Sequence, residues 1–357
     1  MPLTSISSTR RYLMFRPAYD SPRKLPSAGF PVIQTDRPVE EEELPDYRPD
    51  RFYPVQLGET FQGRYEVLTK LGFGTSSTTW LARDLQGYQY VALKVYVHTS
   101  LVHRELPFYH HIRPRLERTS ADHRVNIRRL FDSFQTAGPH GKHHVLAFEP
   151  AQMSLRDMKS VFRPGGFDED FVRGAIFELL KALDFLHTHG ETVHTDPSGR
   201  TIYLSRLMRP TVGPMLLSDF GEARIGPGPH GGDIMPLEYR APETLLYELS
   251  GAWDLLQPKK LFTARDEDGD LYDAALGPPP AEFLAGNPQR RADFCSDNGE
   301  WLGLAPIPYA RTMEAETRLE DKSAFLGFIR RTLTWLPEDR PTAHELLQDP
   351  WLRGGKV

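Results

Sequence analysis

The chain has 357 residues, of which 39% are hydrophobic and 25% charged, as is typical of a soluble globular protein with two or three structural units. A formal net charge of -5 argues against a general nucleic-acid binder and favours basic partners, and no apolar run is long enough to cross a bilayer. The single cysteine, Cys295, excludes an intrachain disulfide framework and fits a reducing compartment. We expect no nucleic-acid or membrane partner, and we expect a monomer in the cytoplasm and/or nucleus.

Residues 1–39 form a Ser- and Pro-rich tail with six basic side chains against two acidic ones. Such a segment can be a mitochondrial transit peptide, which would change the expected compartment to the mitochondrion. Its prolines interrupt any long amphipathic helix, however, and this favours a disordered basic tail. Residues 40–63 are a lead-in segment that opens with the acidic run Glu40 to Glu43, which we expect to be solvated.

A glycine-rich stretch, Gly72 to Ser77, lies among short apolar alternations that predict three strands, Tyr65 to Leu71, Thr78 to Asp84 and Tyr90 to Val97. A dinucleotide-binding fingerprint would need a helix directly after the glycines. The β-branched and aromatic residues 78–80 favour a strand instead. A glycine-rich hairpin folded over nucleotide phosphates therefore fits better, because glycine permits close approach of the backbone.

Lys94 lies inside the apolar third strand, where a lysine is costly unless its ammonium reaches a partner. An edge-strand lysine is the alternative. The natural partner is Glu105, within the helical stretch Val102 to His111. Residues 126–150 predict two more strands, and the second ends at a polar linker that closes the first lobe, residues 64–150.

The helix-period stripe of Phe171 to His189 leads into the stretch Val193 to Ala223, which carries Asp196 and, 23 residues later, Asp219. In phosphoryl transfer one carboxylate accepts the proton of the attacking hydroxyl, and another holds the metal that bridges the phosphates. The HTD motif around Asp196 or the DFG motif beginning at Asp219, taken alone, would often be only a solvated turn. The two together, in this order and at this spacing, predict a phosphotransferase.

The motifs VALK, HTD, DFG and APE, and the terminal stretch WLPEDRPTAHELLQDPWL, together resemble those of eukaryotic protein kinases. From about Tyr53 to Leu352 the chain is similar to fungal relatives of the SR-protein kinases, which are CMGC-type serine/threonine kinases. The resemblance implies an α+β fold with a small β-rich N-lobe and a larger, mainly helical C-lobe, residues 151–353. It also implies ATP and Mg²⁺ as cofactors and Arg/Ser-rich proteins of the splicing type as substrates.

The resemblance assigns roles to individual residues. Asp196 would be the catalytic base, Lys94 and Glu105 the ion pair on the phosphates, and Asp219 a metal ligand. Arg340 would pair with Glu243 and fasten the activation segment. The nucleotide-binding residues would be Leu71, Gly72, Gly74, Ser77, Ala92, Lys94, Phe148, Glu149 and Ala151.

The catalytic loop departs from the family pattern. Ser198 stands where the family has a lysine beside the transferring phosphoryl group, and Thr201 stands where it has an asparagine that binds metal. A hydroxyl at Thr201 is a poorer metal ligand than an amide oxygen. The chain is also shortened after Glu243, where the family's DxWSxG segment is absent. Either the protein is a degenerate relative or the chain derives from a mispredicted transcript.

Three functions follow from these motifs. The favoured one is an ATP-dependent protein serine/threonine kinase; the second is an ATP-binding pseudokinase that acts as a scaffold or allosteric partner. A small-molecule phosphotransferase is disfavoured by the APE motif and by Arg340. Between Gly221 and Ala241 the only hydroxyl belongs to Tyr239, whose position fits a packed aromatic. We therefore expect activity that does not depend on phosphorylation of this segment.

Overall fold

A computed structural model describes residues 39–45, 47–100, 104–118, 126–190, 192–193, 215–221, 223–226, 296, 322–334 and 339–354. The chain forms two compact units. Of the described residues, the first unit contains those up to residue 100 together with 130–150, and the second contains the others. Residues 104–118 and 126–129 therefore group with the second unit, whereas the sequence analysis assigned all of 64–150 to one lobe.

The first unit is built on a six-stranded antiparallel sheet. Its strands are β1 (Thr60–Phe61), β2 (Tyr65–Phe73), β3 (Ser77–Asp84), β4 (Gln89–Tyr96), β5 (Leu130–Ala137) and β6 (Lys142–Phe148). They lie in the order β1-β2-β3-β4-β6-β5. The three strands and the later pair predicted from the apolar alternations are confirmed, because hairpins with glycine-containing turns are strong local signals.

The lead-in segment covers one face of this sheet. Tyr53, Val55 and Phe61 pack against a core formed by alternate residues of the strands, among them Val67, Ala82, Leu93 and Ala147. The Tyr53 hydroxyl donates to the Glu59 carboxylate at 2.5 Å, which ties the segment to itself. The face that carries Leu93 is therefore a packed core.

The expectation that the acidic run is solvated is wrong for two of its residues. Glu40 and Glu41 lie in a 3-10 turn, Glu40–Glu43, and both carboxylates contact the ammonium of Lys70 on β2. Lys70 also lies 5.2 Å from the centroid of the Phe73 ring. The ring and the two carboxylates contact the same ammonium, and the composition of the run alone does not reveal this.

The second unit is mainly helical in its described residues. Its helices are α1 (Glu105–Arg118), α2 (Leu155–Phe162), α3 (Glu169–Phe185), α4 (Lys322–Thr332) and α5 (Ala343–Leu346). Side-chain caps begin three of them: Ser154 accepts from Asp157 N, Asp168 from Phe171 N and Thr342 from Glu345 N. A π-turn, Leu186–Gly190, follows α3 and ends the predicted stripe. No helix in the described part of the chain is long and apolar enough to cross a membrane.

The helices α3, α4 and α5 share one hydrophobic core. Val172, Ile176 and Leu180 of α3 pack with Phe325, Phe328 and Ile329 of α4 and with Leu346 of α5. Trp351 closes this core, with its ring centroid 4.9 Å from that of Phe328 and its indole N–H donating to Glu169 at 2.7 Å. This packing makes α3 a fixed support for the segments that contact it.

Helix α1 differs from its prediction at both ends. It begins at Glu105 rather than Val102 and continues to Arg118, although Pro114 lies inside it. A proline removes one hydrogen bond of the helix. Burial of Phe108, Tyr109 and Ile112 on one side holds the helix together before that point.

Candidate functional site

The glycine-rich stretch forms the turn between β2 and β3. The amide of Gly74 donates to the carbonyl of Ser77 at 2.8 Å and closes the turn through two exposed residues, Thr75 and Ser76. A Cβ added to Gly74 would meet no atom within 4 Å, so the first unit leaves space above this glycine. Backbone of this kind can be approached closely by a ligand such as a phosphate group.

Lys94 lies in the middle of β4, and the strand register shows which residues share its face. Residues directly opposite each other in a sheet point to the same side. Lys94 is opposite Thr79 on β3 and Leu146 on β6, and Thr79 is in turn opposite Gly72 on β2. We call these four residues the Lys94 row. Because Gly72 has no side chain, nothing from β2 fills this end of the row.

The neighbouring row on the same face is mainly apolar. Ala92 is opposite Leu81 on β3 and Phe148 on β6, and Leu81 is opposite Thr69 on β2. Ala92 and Phe148 are buried, and Leu81 is half-buried. We call these residues the Ala92 row. The small Ala92 side chain leaves room between Leu81 and Phe148, directly beside the row that carries the cation.

A third row on this face lies on the other side of Lys94. It pairs Tyr96 of β4 with Ser77 of β3, and both side chains are buried. The half-buried ammonium of Lys94 lies 5.3 Å from the centroid of the Tyr96 ring. This cation–π contact keeps the lysine stem on the sheet face.

Five of the residues predicted to bind nucleotide thus share one face of the first unit, namely Gly72, Ser77, Ala92, Lys94 and Phe148. Leu71 lies in a bulge between Lys70 and Gly72 and has no partner in the register of β2 and β3. Glu149 follows directly after β6, and the chain passes into the second unit between Pro150 and Ala151. The predicted roles of Leu71, Glu149 and Ala151 stay predictions.

Sequence reasoning missed five residues of this face, namely Thr69, Thr79, Leu81, Tyr96 and Leu146. Counting in steps of two from Ser77 along β3 would have found Thr79 and Leu81, because alternate residues of a strand share a face. Leu146 follows from the same counting back from Phe148 along β6. What the sequence could not supply was the register between β4 and β6, which are distant in the chain.

Asp219, in the second unit, has an unusual backbone conformation. Its φ is 69°, in the left-handed region that non-glycine residues seldom adopt. Such a conformation costs on the order of 1 kcal/mol and persists where neighbouring contacts fix it. Phe220 supplies such contacts, since it is fully buried and its ring stacks on Phe108 of α1 with centroids 4.1 Å apart. Tyr109 meets the same ring edge-on at 5.6 Å.

A short ladder brackets the two predicted catalytic motifs. Strand β7 (Thr192–Val193) pairs with β8 (Arg224–Ile225), and Val193 is opposite Arg224. Val193 directly precedes the HTD motif, and Arg224 is the third residue after the DFG motif. The chain therefore enters the predicted catalytic loop and leaves the Asp219 segment through one pair of strands.

Glu105 is the first residue of α1 and is 2% exposed. A carboxylate buried to this extent requires a charged or hydrogen-bonded partner. The predicted pair of Glu105 and Lys94 joins residues of different units and stays a prediction. Asp196 and Thr201, the predicted base and second metal ligand, lie outside the described residues.

Arg340 belongs to the described residues, whereas Glu243, its predicted partner, does not. The Nε of Arg340 donates to the carbonyl of Thr334 at 2.9 Å, which holds the arginine against the end of α4. Within the described ranges, no group of three or more His, Cys, Asp or Glu side chains could hold a metal ion by itself. A metal at Asp219 would therefore take its other ligands from phosphate oxygens, water or residues outside those ranges. Magnesium is commonly bound in this way.

Comparison with known proteins identifies the family behind these features. The protein kinase domain matches residues 65–256, more than half of the chain. A serine/threonine protein kinase of Aspergillus fumigatus is 37% identical over 384 positions, which cover 95% of this chain and 97% of the relative. The serine/threonine-protein kinase SRPK of Physarum polycephalum is 32% identical over 88% of this chain and 91% of its own length. SRSF protein kinase 3 of Mus musculus is 34% identical over 46% of this chain and 30% of its own length.

A solved structure supports the same fold. The crystal structure of a kinase domain matches with a TM-score of 0.65 at 19% identity, over 85% of this chain and 99% of that domain. The predicted α+β, kinase-like fold class is thereby confirmed. The chain belongs to the protein kinase family, and its relatives are serine/threonine kinases that include SR-protein kinases.

Proposed function

We propose that the protein is an ATP-dependent serine/threonine kinase that transfers the γ-phosphate of ATP to Ser or Thr residues of Arg/Ser-rich proteins. The observation that carries the proposal is the sheet face of the first unit, where the apolar Ala92 row lies directly beside the cationic Lys94 row. A nucleotide has the same arrangement, with a flat apolar base at one end and anionic phosphates at the other. No dinucleotide fold is needed to explain the glycines.

Each row has a distinct task in this proposal. The Ala92 row receives the base, because Ala92 is small and Leu81 and Phe148 offer apolar surface on either side of it. The Lys94 ammonium binds the α- and β-phosphates, whose charge it offsets. The hairpin amides near Gly74 approach the phosphates, since no side chain of this unit stands above that glycine.

Asp219 is the proposed metal ligand of the second unit. Its carboxylate is a hard oxygen donor of the kind that Mg²⁺ prefers, and its backbone is held on one side by the buried ring of Phe220. Magnesium, when bound, neutralises charge on the phosphate oxygens. The task of the protein is to hold that carboxylate in one orientation, which reduces the reorganisation needed during transfer.

Asp196 is the proposed base. It accepts the proton of the substrate Ser or Thr hydroxyl while the hydroxyl oxygen forms a bond to the γ-phosphorus and the bond from that phosphorus to the ADP oxygen breaks. The products are ADP and a phosphorylated Ser or Thr. The names of the relatives support an Arg/Ser-rich substrate, and the net charge of -5 suits a basic partner.

A pseudokinase that binds ATP without transferring phosphate is the second candidate, and the catalytic loop favours it. Ser198 and Thr201 replace a cation and a metal ligand of the family pattern, whereas Lys94 and Asp219 are retained. In such a protein, nucleotide binding would act as an allosteric signal. The two candidates share the sheet face and differ only in turnover.

A phosphotransfer assay separates the two candidates. The full-length protein is incubated with Mg·ATP and an Arg/Ser repeat peptide, and with a matched peptide in which every Ser is Ala. A kinase labels only the first peptide, and Asp196→Ala removes the label without reducing ATP binding. ATP binding with no labelling above the Ala peptide would exclude the kinase and leave the pseudokinase.

A further inference from the structure

The segment that carries Asp219 is tied upstream to the residues that precede β5. The Leu217 amide donates to the carbonyl of Asn126 at 2.7 Å, and the Leu217 carbonyl accepts from the amide of Arg128 at 2.9 Å. Leu217 thus forms an isolated parallel bridge opposite Ile127, which is itself 1% exposed. Two backbone hydrogen bonds therefore fix the chain two residues before Asp219.

The side chain of Asn126 adds a second connection. Its amide nitrogen donates to the carbonyl of Met215 at 3.1 Å and also to the carboxylate of Glu178 on α3. Asn126 is 1% exposed, and its amide oxygen is buried without a hydrogen-bond partner. An unsatisfied acceptor is unfavourable. The orientation of the Asn126 side chain is therefore maintained by the two contacts of its amide nitrogen.

Glu178 is held from both sides. One carboxylate oxygen accepts from Asn126, and the other lies 3.7 Å from the ammonium of Lys181, one turn along α3. Helix α3 is anchored in the helical core, against which Leu217 also packs. Asn126 and Glu178 therefore connect a fixed helix to the backbone that leads into Asp219.

We propose that Asn126 and Glu178 are positioning residues that set the direction of the Asp219 carboxylate, and this rests on the proposed metal-binding role of Asp219. Asp219 occupies a left-handed conformation that few non-glycine residues adopt. Phe220 fixes the chain after it, and the contacts of Asn126 and Glu178 fix the chain before it. Without the upstream contacts, the carboxylate would sample other directions and bind metal less tightly.

The test measures the Mg²⁺ concentration that half-saturates ATP binding to the full-length protein, by calorimetry at fixed ATP. Asn126→Ala and Glu178→Ala should each raise this concentration about five- to tenfold, the effect expected when one buried hydrogen-bond partner is lost. The double variant should be no worse than the stronger single variant, because both remove one shared contact. Binding of adenosine, which needs no metal, should be unchanged in all three.

A conservative variant distinguishes positioning from charge. Glu178→Gln keeps an acceptor for the Asn126 amide, so its metal requirement should stay within about twofold of the wild type. Thr332→Val is the matched control, because it removes a buried hydrogen bond of 2.8 Å to Ile329 without touching the Asp219 segment. It should lower the melting temperature and leave the metal requirement unchanged.

The possible failures can be told apart. The metal role of Asp219 is overturned if ATP binding by the wild type does not depend on metal, or if Asp219→Asn has the same metal requirement as the wild type. The positioning role is then overturned with it. If Asp219→Asn abolishes the metal dependence while Glu178→Ala leaves it within twofold of the wild type, only the positioning role is overturned. Should Asn126→Ala fail to fold, the partly exposed Glu178 gives the same test through its Ala and Gln variants.

Discussion

At the scale of single residues, Lys94 shows how the register of the sheet determines the surroundings of a side chain. The same lysine on the opposite face would be buried among Val91, Leu93 and Val95 without a counter-charge. On its own face it has a glycine at one end of its row and an aromatic ring beside it. The surroundings of Lys94 therefore differ between the two faces of the sheet.

His143 allows a prediction about pH. The residue is 1% exposed, its Nδ1 lies 2.9 Å from the carbonyl of Tyr96, and burial lowers its pKa from the usual 6.5. His98, 5.7 Å away, and the ring of Tyr53 are its other neighbours. The unfolded chain therefore binds a proton at this residue more readily than the folded protein does as the pH falls below 6.5. The free energy of unfolding should therefore decrease as the pH falls below 6.5, by at most about 1.4 kcal/mol per pH unit from this group.

The measurement is chemical denaturation between pH 7.5 and pH 5 for the wild type and His143→Gln. The variant should lose stability at every pH but show a shallower dependence below pH 6.5. Identical slopes for the two proteins would mean that His143 does not remain neutral in the folded state.

The metal requirement of catalysis is a second prediction at the residue scale. Because Thr201 stands where the family has asparagine, we expect one Mg²⁺ to bind well and the second poorly, so activity should need high Mg²⁺ or prefer Mn²⁺. Thr201→Asn, alone and with Ser198→Lys, should increase phosphotransfer at low Mg²⁺. Unchanged phosphotransfer in both variants would show that these positions do not limit the reaction.

At the scale of elements, α1 and the Asp219 segment are joined by three aromatic rings. Phe108→Leu keeps most of the buried volume but loses the stack on Phe220, and should cost about 1 kcal/mol of stability. Phe328→Leu is the control, since its ring packs with Trp351 in the helical core. We expect both to lower the melting temperature similarly, and only Phe108→Leu to raise the Mg²⁺ requirement of ATP binding. Equal metal requirements would contradict the role of the stack.

The contact between the acidic turn and β2 makes a further prediction. Replacing both Glu40 and Glu41 by Gln should lower the free energy of unfolding by about 1 kcal/mol, and less at high salt, because partly exposed ion pairs are weak and screened. The same change at the exposed Glu42 and Glu43 is the matched control and should have little effect. Equal effects of the two double variants in denaturant titrations would contradict a specific contact with Lys70.

The elements also show what could be read from the sequence. The hairpin strands were predictable because alternation and glycine turns are local signals, and Asp219 was found because its motif is short and distinctive. The end of α1 was not, because burial of Phe108 and Ile112 outweighs the cost of Pro114. The contacts of Asn126 could not be predicted either, because its partners Glu178 and Met215 are 52 and 89 residues away in the chain.

At the scale of the whole molecule, the family assignment and the geometry support different parts of the account. The relatives show that the chain belongs to the protein kinases, and two of them match over nearly nine-tenths or more of both chains. The structure adds the rows of the first unit and the anchored Asp219 segment of the second. The replacements at Ser198 and Thr201 bear on phosphate transfer, which separates a kinase from a pseudokinase. The sheet face is the same in both.

The most direct test of the account is calorimetric titration of Mg·ATP into the full-length wild type, Lys94→Met and Lys142→Met. Lys142 is an exposed lysine at the start of β6 in the same sheet, so its variant controls for loss of a strand lysine. We predict that the wild type and Lys142→Met bind Mg·ATP with similar affinity and that Lys94→Met shows no measurable binding. Binding by Lys94→Met as tight as that of the wild type, or no binding by the wild type, would contradict the assignment of this sheet face to the nucleotide.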